Sequence, residues 1–180
     1  MSKVDTPQNS VLGASGEYLV LSQLLKQNFI AGKAPENTKD YDLIVLNKDG
    51  TSSSPIQVKT TGTKTGWVLM KKHELPIKNL YFSFVYLGAN LTDTEIFILH
   101  AEKVATAVKF SHAIWLKLPG TKGQKHNDTD MRRLCRDYKS IFSKVKNYEE
   151  YLSNKEIEFL KDHSEGWLLP YKDSWESLLS

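Results

Sequence analysis

The stretch Tyr41-Asp42-Leu43-Ile44-Val45-Leu46, then Asn47-Lys48-Asp49-Gly50, then Ile56-Gln57-Val58-Lys59-Thr60-Thr61 decides how this chain is read. Asp42 opens one short apolar run, and Gln57 and Lys59 interrupt the next. Both runs have the length and β-branched character of strands. Asp49-Gly50 between them is a hairpin signal, in a loop lengthened by residues 51–55. Charges on such strands need compensation, because an unpaired charge is costly away from water. Side chains alternate along a strand, so Gln57, Lys59 and Thr61 share one face. Ile56, Val58 and Thr60 share the other and fill the core. Pairing of the two strands through the Asp49-Gly50 turn would bring Asp42 toward Gln57 and Lys59.

Outward from this centre, residues 10–28 read as a helix capped by Asn9 or Ser10, with Ala14, Tyr18, Leu21 and Leu25 on one stripe. Gly13 and Gly16 weaken its first turns by about 1 kcal/mol each relative to alanine, and they leave room for another segment to come close. A short strand is expected over residues 29–34 and a loop over 35–40. Further strands are expected at 67–70, 80–87 and 95–100, the last two as a hairpin, followed by a short helix at 101–110 and a last strand at 113–118. From Asp130 the texture changes to charged, helical periodicity over 130–142 and 145–163. Leu168, Leu169, Trp175, Leu178 and Leu179 then mark a tail that docks on an apolar surface. The pattern predicts an α/β (α+β) protein with a mixed central sheet led by one helix. Residues 1–125 form the core, and 126–180 form a helical extension packed on it within a single domain.

Composition excludes several classes. The chain has 180 residues, 40% apolar and 25% charged, enough for one core. No run of 18 apolar residues exists, so no membrane span is expected, and residues 1–10 lack the apolar stretch of a signal peptide. Cys135 is the single cysteine and cannot form an internal disulfide, which fits a reducing, cytoplasmic setting. The five histidines show no metal-ligand spacing, so a structural zinc site is not expected. Gly13-Ala14-Ser15-Gly16 lacks the lysine of a phosphate loop. A net charge of +3 permits a polyanionic partner without demanding one.

The chemistry of the central set points to phosphodiester hydrolysis. Magnesium takes hard oxygen ligands and needs only one or two carboxylates. Asp42 supplies one, the Gln57 amide oxygen and the Val58 backbone carbonyl are neutral donors, and Glu17 on the first helix is the best second acid. The Lys59 ammonium can stabilise charge developing on a phosphate and help position or deprotonate the attacking water.

These residues resemble the PD-(D/E)XK, or restriction-endonuclease-like, nuclease superfamily. The matching positions are Glu17 in Gly16-Glu17-Tyr18-Leu19-Val20, Asp42 in Tyr41-Asp42-Leu43-Ile44-Val45, and Gln57-Val58-Lys59. The motifs cover residues 13–61, and the expected sheet extends the likeness more loosely to about residue 118. The resemblance implies an αβββαβ core, a divalent metal (Mg2+ or Mn2+), cleavage of DNA and, as in many such enzymes, a homodimer. It is similar to the branch holding Holliday-junction resolvases and small bacterial nucleases. Two departures stand out: Tyr41 replaces the proline before the first acid, and Gln57 stands where an acid is usual, leaving one charge fewer for a metal.

Each residue alone has a plainer reading. Most Gln-x-Lys triplets are solvent-facing, Asp42 alone is a strand-initiating acid, and Glu17 alone is a solvated helix residue. Their order and spacing together are more specific. Lys64, Trp67, Lys71 and Lys72, with Arg132 and Arg136 sharing a helix face, are candidate nucleic-acid contacts, weighed against solvated charges and a core tryptophan. His73 is a surface histidine or a proton shuttle. Two alternatives to a nuclease remain. One is a nucleic-acid-binding protein that has lost cleavage; the other is a protein-interaction module of immunity or adaptor type in which Asp42 and Lys59 merely pair.

Overall fold

The computed structural model describes residues 9–36, 38–46 and 50–179. Its first element, α1 (Asn9–Lys26), buries Gly16, Val20 and Leu24, one per turn, against the sheet. Strands β1 (Ile30–Lys33), β2 (Leu43–Leu46) and β3 (Ser53–Thr61) follow as an antiparallel meander, with Leu43 opposite Ile56. Most of the expected Asp49-Gly50 turn, residues 47–49, lies outside the described residues. Strands β5 (Tyr81–Tyr86) and β6 (Glu95–His100) form the expected hairpin. β5 lies parallel to β3, which sets Gln57 beside Phe82 and Lys59 beside Phe84. The fold is therefore mixed α/β, with a five-stranded mixed sheet in the order β1-β2-β3-β5-β6.

Four expectations fail. The crossover from β3 to its parallel neighbour carries the strand expected at 67–70, β4 (Gly66–Leu69), and not the helix that the αβββαβ resemblance implies. Residues 113–118, read as a last strand, belong to α2 (Ala101–Lys117). Val104, Val108, Ser111 and Ile114 are buried at helical spacing along one side of it, and of residues 113–117 only Ile114 belongs to that stripe. Residues 130–142 are not one helix. They hold strand β7 (Arg132–Cys135), which pairs antiparallel with β4, and the short α3 (Tyr138–Phe142), whose Ser140 amide is capped by Asp137 at 2.8 Å. Arg132 and Arg136 therefore share no helix face. Residues 145–163 likewise split into a 3-10 turn (Tyr148–Tyr151) and α4 (Asn154–Asp162).

The two faces of the sheet are covered differently. On the α1 side, Val20 and Leu24 meet Leu43, Val45, Ile56 and Val58. On the other side, α2, the β4–β7 pair, α3 and α4 pack over Phe82, Phe84, Phe97 and Leu99. The tail docks as expected at Leu168, Trp175 and Leu178, each buried, whereas Leu169 is exposed. It closes the β6 edge through Asp173 N–H to the Ile96 carbonyl, 3.0 Å, and returns to the α1 face, where Tyr81 Oη donates to the Ser177 carbonyl at 2.7 Å.

Candidate active site

Asp42 stands where β2 begins to diverge from β3. Its amide still donates to the Ile56 carbonyl at 2.8 Å, and its carbonyl accepts from Ala34 at 2.9 Å. The next inward-facing β3 amide, Val58, is met by the Asp42 carboxylate, which accepts its N–H at Oδ2, 2.7 Å. A side chain thus replaces the backbone acceptor that the diverging strand no longer offers. The same bond fixes the acid against the middle of Gln57-Val58-Lys59.

This location strains the charges. Burial pushes the Asp42 carboxyl above the ordinary aspartate range. The Val58 bond opposes the rise, nearby Glu17 adds to it, and Lys59 and Lys33 work against it. Burial likewise holds Lys59 below the ordinary lysine range, despite the pull of Asp42 and Glu17 and with a further push from Lys71. Asp42, Lys59 and Glu17 are therefore electrostatic neighbours. Gln57 is 8% exposed, and its Oε1 is buried with no hydrogen-bond partner.

Glu17 comes from the helix on the opposite face and forms an ion pair with Lys33 of β1 at 2.7 Å. That hydrogen bond raises the Lys33 pKa, and the ammonium also lies over the Tyr18 ring, 4.7 Å from its centre. What brings α1 this close is Gly16. A Cβ there would clash with Thr60 Oγ1 and lie 3.0 Å from Thr60 Cβ and Cγ2. Gly13 meets nothing within 4 Å, so the close approach belongs to Gly16 alone of that pair.

Three residues near the cluster had no part in the motif. Lys33 and Asp40 carry no motif signal in the sequence, and His73 reads there as a surface histidine or a proton shuttle. Asp40 pairs with Lys71 at 2.5 Å, and this hydrogen bond lowers its pKa. His73 is half-buried, with its ring edge-on to Phe82 at 5.2 Å, and burial then Lys59 and Lys71 lower its pKa. Only the odd spacing Asp40-x-Asp42 and the position of Lys33 on an expected strand hinted at any of them.

Half of the candidate nucleic-acid contacts are spent inside the fold. Trp67 is 1% exposed and its Nε1 donates to the Val85 carbonyl at 2.8 Å, so its ring is core. Arg132 is buried and bonds Glu74 at 2.5 Å and the Thr129 and Met131 carbonyls. Arg136 pairs with Glu95 at 2.5 Å and lies against the rings of Trp67, Tyr86 and Phe97. These three are corrected from surface contacts to structural residues. Lys64, Lys71 and Lys72 remain exposed, Lys64 over the Tyr86 ring and Lys72 3.8 Å from Asp128 and Asp130.

Among the described residues, no three His, Cys, Asp or Glu side chains converge as a metal cluster. Asp42 and Glu17 are electrostatic neighbours and supply hard carboxylate oxygens of the kind magnesium accepts, while the unpartnered Gln57 amide oxygen sits on the β3 face opposite Val58. No helix among the described residues is long and apolar enough to cross a membrane.

No family model matches the chain, and no curated protein matches it. Among solved structures it is similar to a bacterial homing endonuclease, I-Ssp6803I, with a TM-score of 0.49 and 10% identity over 96% of this chain and 94% of that one.

Proposed function

We propose that this protein is a metal-dependent nuclease hydrolysing DNA phosphodiester bonds, with Asp42, Gln57, Lys59 and Glu17 as its centre. The observation that carries the reading is the buried, unpartnered Gln57 Oε1, next in sequence to the Val58 amide that holds Asp42. A buried acceptor left unmade costs about 1–3 kcal/mol, which a bound cation or its water would recover. Asp42, Gln57 and the Val58 carbonyl would hold the metal, joined by Glu17 once it leaves Lys33.

A divalent cation there would supply Lewis-acid stabilisation and a more acidic water. The chain's own residues do the rest. Asp42 keeps a carboxylate oxygen beyond the one bonded to Val58 and can orient the attacking water. Lys59 sets an ammonium, weakly hydrated because half-buried, where negative charge grows as water adds to phosphorus and the P–O ester bond breaks. The lowered pKa of Lys59 eases its giving a proton to the departing oxygen.

The test is cleavage of supercoiled, linear and branched DNA with magnesium or manganese. Wild type should cut, and Lys59→Ala and Asp42→Ala should lose most of that activity; variants that cut as well as wild type would overturn the assignment.

A second reading, a binding protein without cleavage, draws on Gln57 in place of an acid and on the Glu17–Lys33 pair. It predicts salt-dependent DNA affinity and no cutting with either metal.

A further inference from the structure

We propose that the segment after β4, residues 70–78, is an apolar wedge that enters duplex DNA beside the candidate centre, an inference that rests on the nuclease reading above. Leu69 and Leu80 are both buried, 0% and 1% exposed, so the two ends of the segment are anchored. Between them Leu75 is 85% exposed and Met70 75%, with Pro76 and Ile77 also exposed. Leu75 is the most exposed large apolar side chain among those described.

The base of the segment is fixed. His73 and Asn79 take left-handed backbone, φ 48° and 58°, and turn sharp corners on either side of the tip. The His73 ring packs on Phe82, and Glu74 pairs with the buried Arg132 at 2.5 Å. Ile77 accepts from the Leu80 amide at 3.2 Å. A rigid stem therefore presents Leu75 and Pro76 to solvent, where an ordinary connecting loop would carry polar residues.

Charge identifies the partner. Exposed Lys71 and Lys72 precede the tip and exposed Lys78 follows it; Lys71 is paired with Asp40 and Lys72 lies 3.8 Å from Asp128 and Asp130, surface pairs of about 0–1 kcal/mol that phosphates can replace. An apolar point between such cations is the complement of a duplex groove, with phosphates at its rims and base steps at its floor. Apolar side chains such as leucine and proline are used to part such steps. The stem also abuts the centre, since His73 and Lys71 both act electrostatically on Lys59. A parted step would bend the duplex and swing its backbone toward Lys59.

The experiment places 2-aminopurine at successive steps of a duplex and follows fluorescence and affinity with calcium in place of the cleaving metal. Wild type should brighten at one step. Leu75→Ala should abolish that signal and weaken duplex binding about tenfold, with single-strand binding unchanged and Leu75→Met close to wild type. Leu75→Ala that binds, brightens and cuts like wild type would overturn the wedge and leave the nuclease reading standing. Leu75→Ala that changes only self-association would assign the tip to a protein partner and overturn it too. A wedge signal in a protein that Lys59→Ala leaves equally active would sink the centre but keep the wedge. Wild type that neither binds nor cuts DNA would end both.

Discussion

Replacing Gly16 with alanine sets two known magnitudes against each other. Alanine in a helix interior is favoured over glycine by about 1 kcal/mol. The new Cβ, however, would clash with Thr60 Oγ1 and lie 3.0 Å from Thr60 Cβ and Cγ2. Rotating Thr60 can turn its hydroxyl away but cannot move its Cβ, which β3 carries and which stays 3.0 Å from the new Cβ. Relief therefore requires α1 to move off the sheet, and overpacking of this kind costs about 1–3 kcal/mol. The net loss is about 0–2 kcal/mol, up to about 8 °C in Tm for a chain of this size. Calorimetric melts of Gly16→Ala against wild type read it directly. Gly13→Ala is the control: its Cβ meets nothing within 4 Å, so only the helix gain applies and Tm should rise. In a Thr60→Ala background, where hydroxyl and methyl are gone, the Gly16→Ala penalty should shrink, giving a coupling term in the double-mutant cycle. Gly16→Ala melting above wild type would refute the reasoning, because the helix packing that sets Glu17 near Asp42 would then be looser than described.

Two further outcomes follow from the charges. Asp42→Asn keeps an acceptor for the Val58 amide and removes a carboxylate whose pKa burial raises. That raised pKa gives a contribution that is favourable below the unfolded value of 3.8 and lost as pH rises through the folded one. The variant should therefore match wild type in strong acid, melt higher than metal-free wild type at neutral pH, and fail to cut DNA; a lower neutral Tm would sink the strain argument. Glu95 shows the opposite sign: burial opposes its ionisation, but hydrogen bonds from Lys172 and Arg136 outweigh burial and lower its pKa. Its stabilisation is thus present above about 4.5 and disappears as pH falls through the folded value. Glu95→Gln should cost about 1–2 kcal/mol at neutral pH, close to nothing in strong acid, and speed amide exchange at Asp173; equal losses at both pH values would count against the clamp.

What the sequence carried was local. The β2–β3 pair and the β5–β6 hairpin each consist of a short apolar run bounded by turn residues, and both pairings form as expected. What it hid was non-local. Arg132-Arg133-Leu134-Cys135 looks helical because its strand partner, β4, lies more than sixty residues upstream. Nothing in the four residues announces that Trp67 will sit opposite Leu134. The site divides the same way. Asp42, Gln57 and Lys59 were legible because a hairpin fixes their spacing, whereas Lys33, Asp40 and His73 arrive through the tertiary path. Arg136 illustrates the converse error: a cation that composition assigns to the surface is held against three rings and a carboxylate.

The Glu17–Lys33 pair has the look of an obstacle to a metal site, and magnitudes decide otherwise. Lys33 and Glu17 are partly exposed, 39% and 24%, and ion pairs of that kind contribute about 0–1 kcal/mol. Releasing Glu17 to a cation is therefore a small step. The larger penalties lie at Asp42 and Lys59, each shifted toward its neutral form by burial, and at Gln57 Oε1, which has no partner. A structural role for Asp42 explains its bond to Val58 but explains neither the desolvated lysine nor the orphaned amide oxygen. The other buried charges, Arg132 and Glu156, are paired, whereas Thr60 Oγ1, Ser83 Oγ and Arg136 Nε are unpartnered like Gln57 Oε1, so it is the two desolvated charges, Asp42 and Lys59, that set this hairpin apart. Gln57 thus changes role. Its missing charge weakens the case for a metal from the sequence, while its buried, unmet oxygen strengthens the case from the structure.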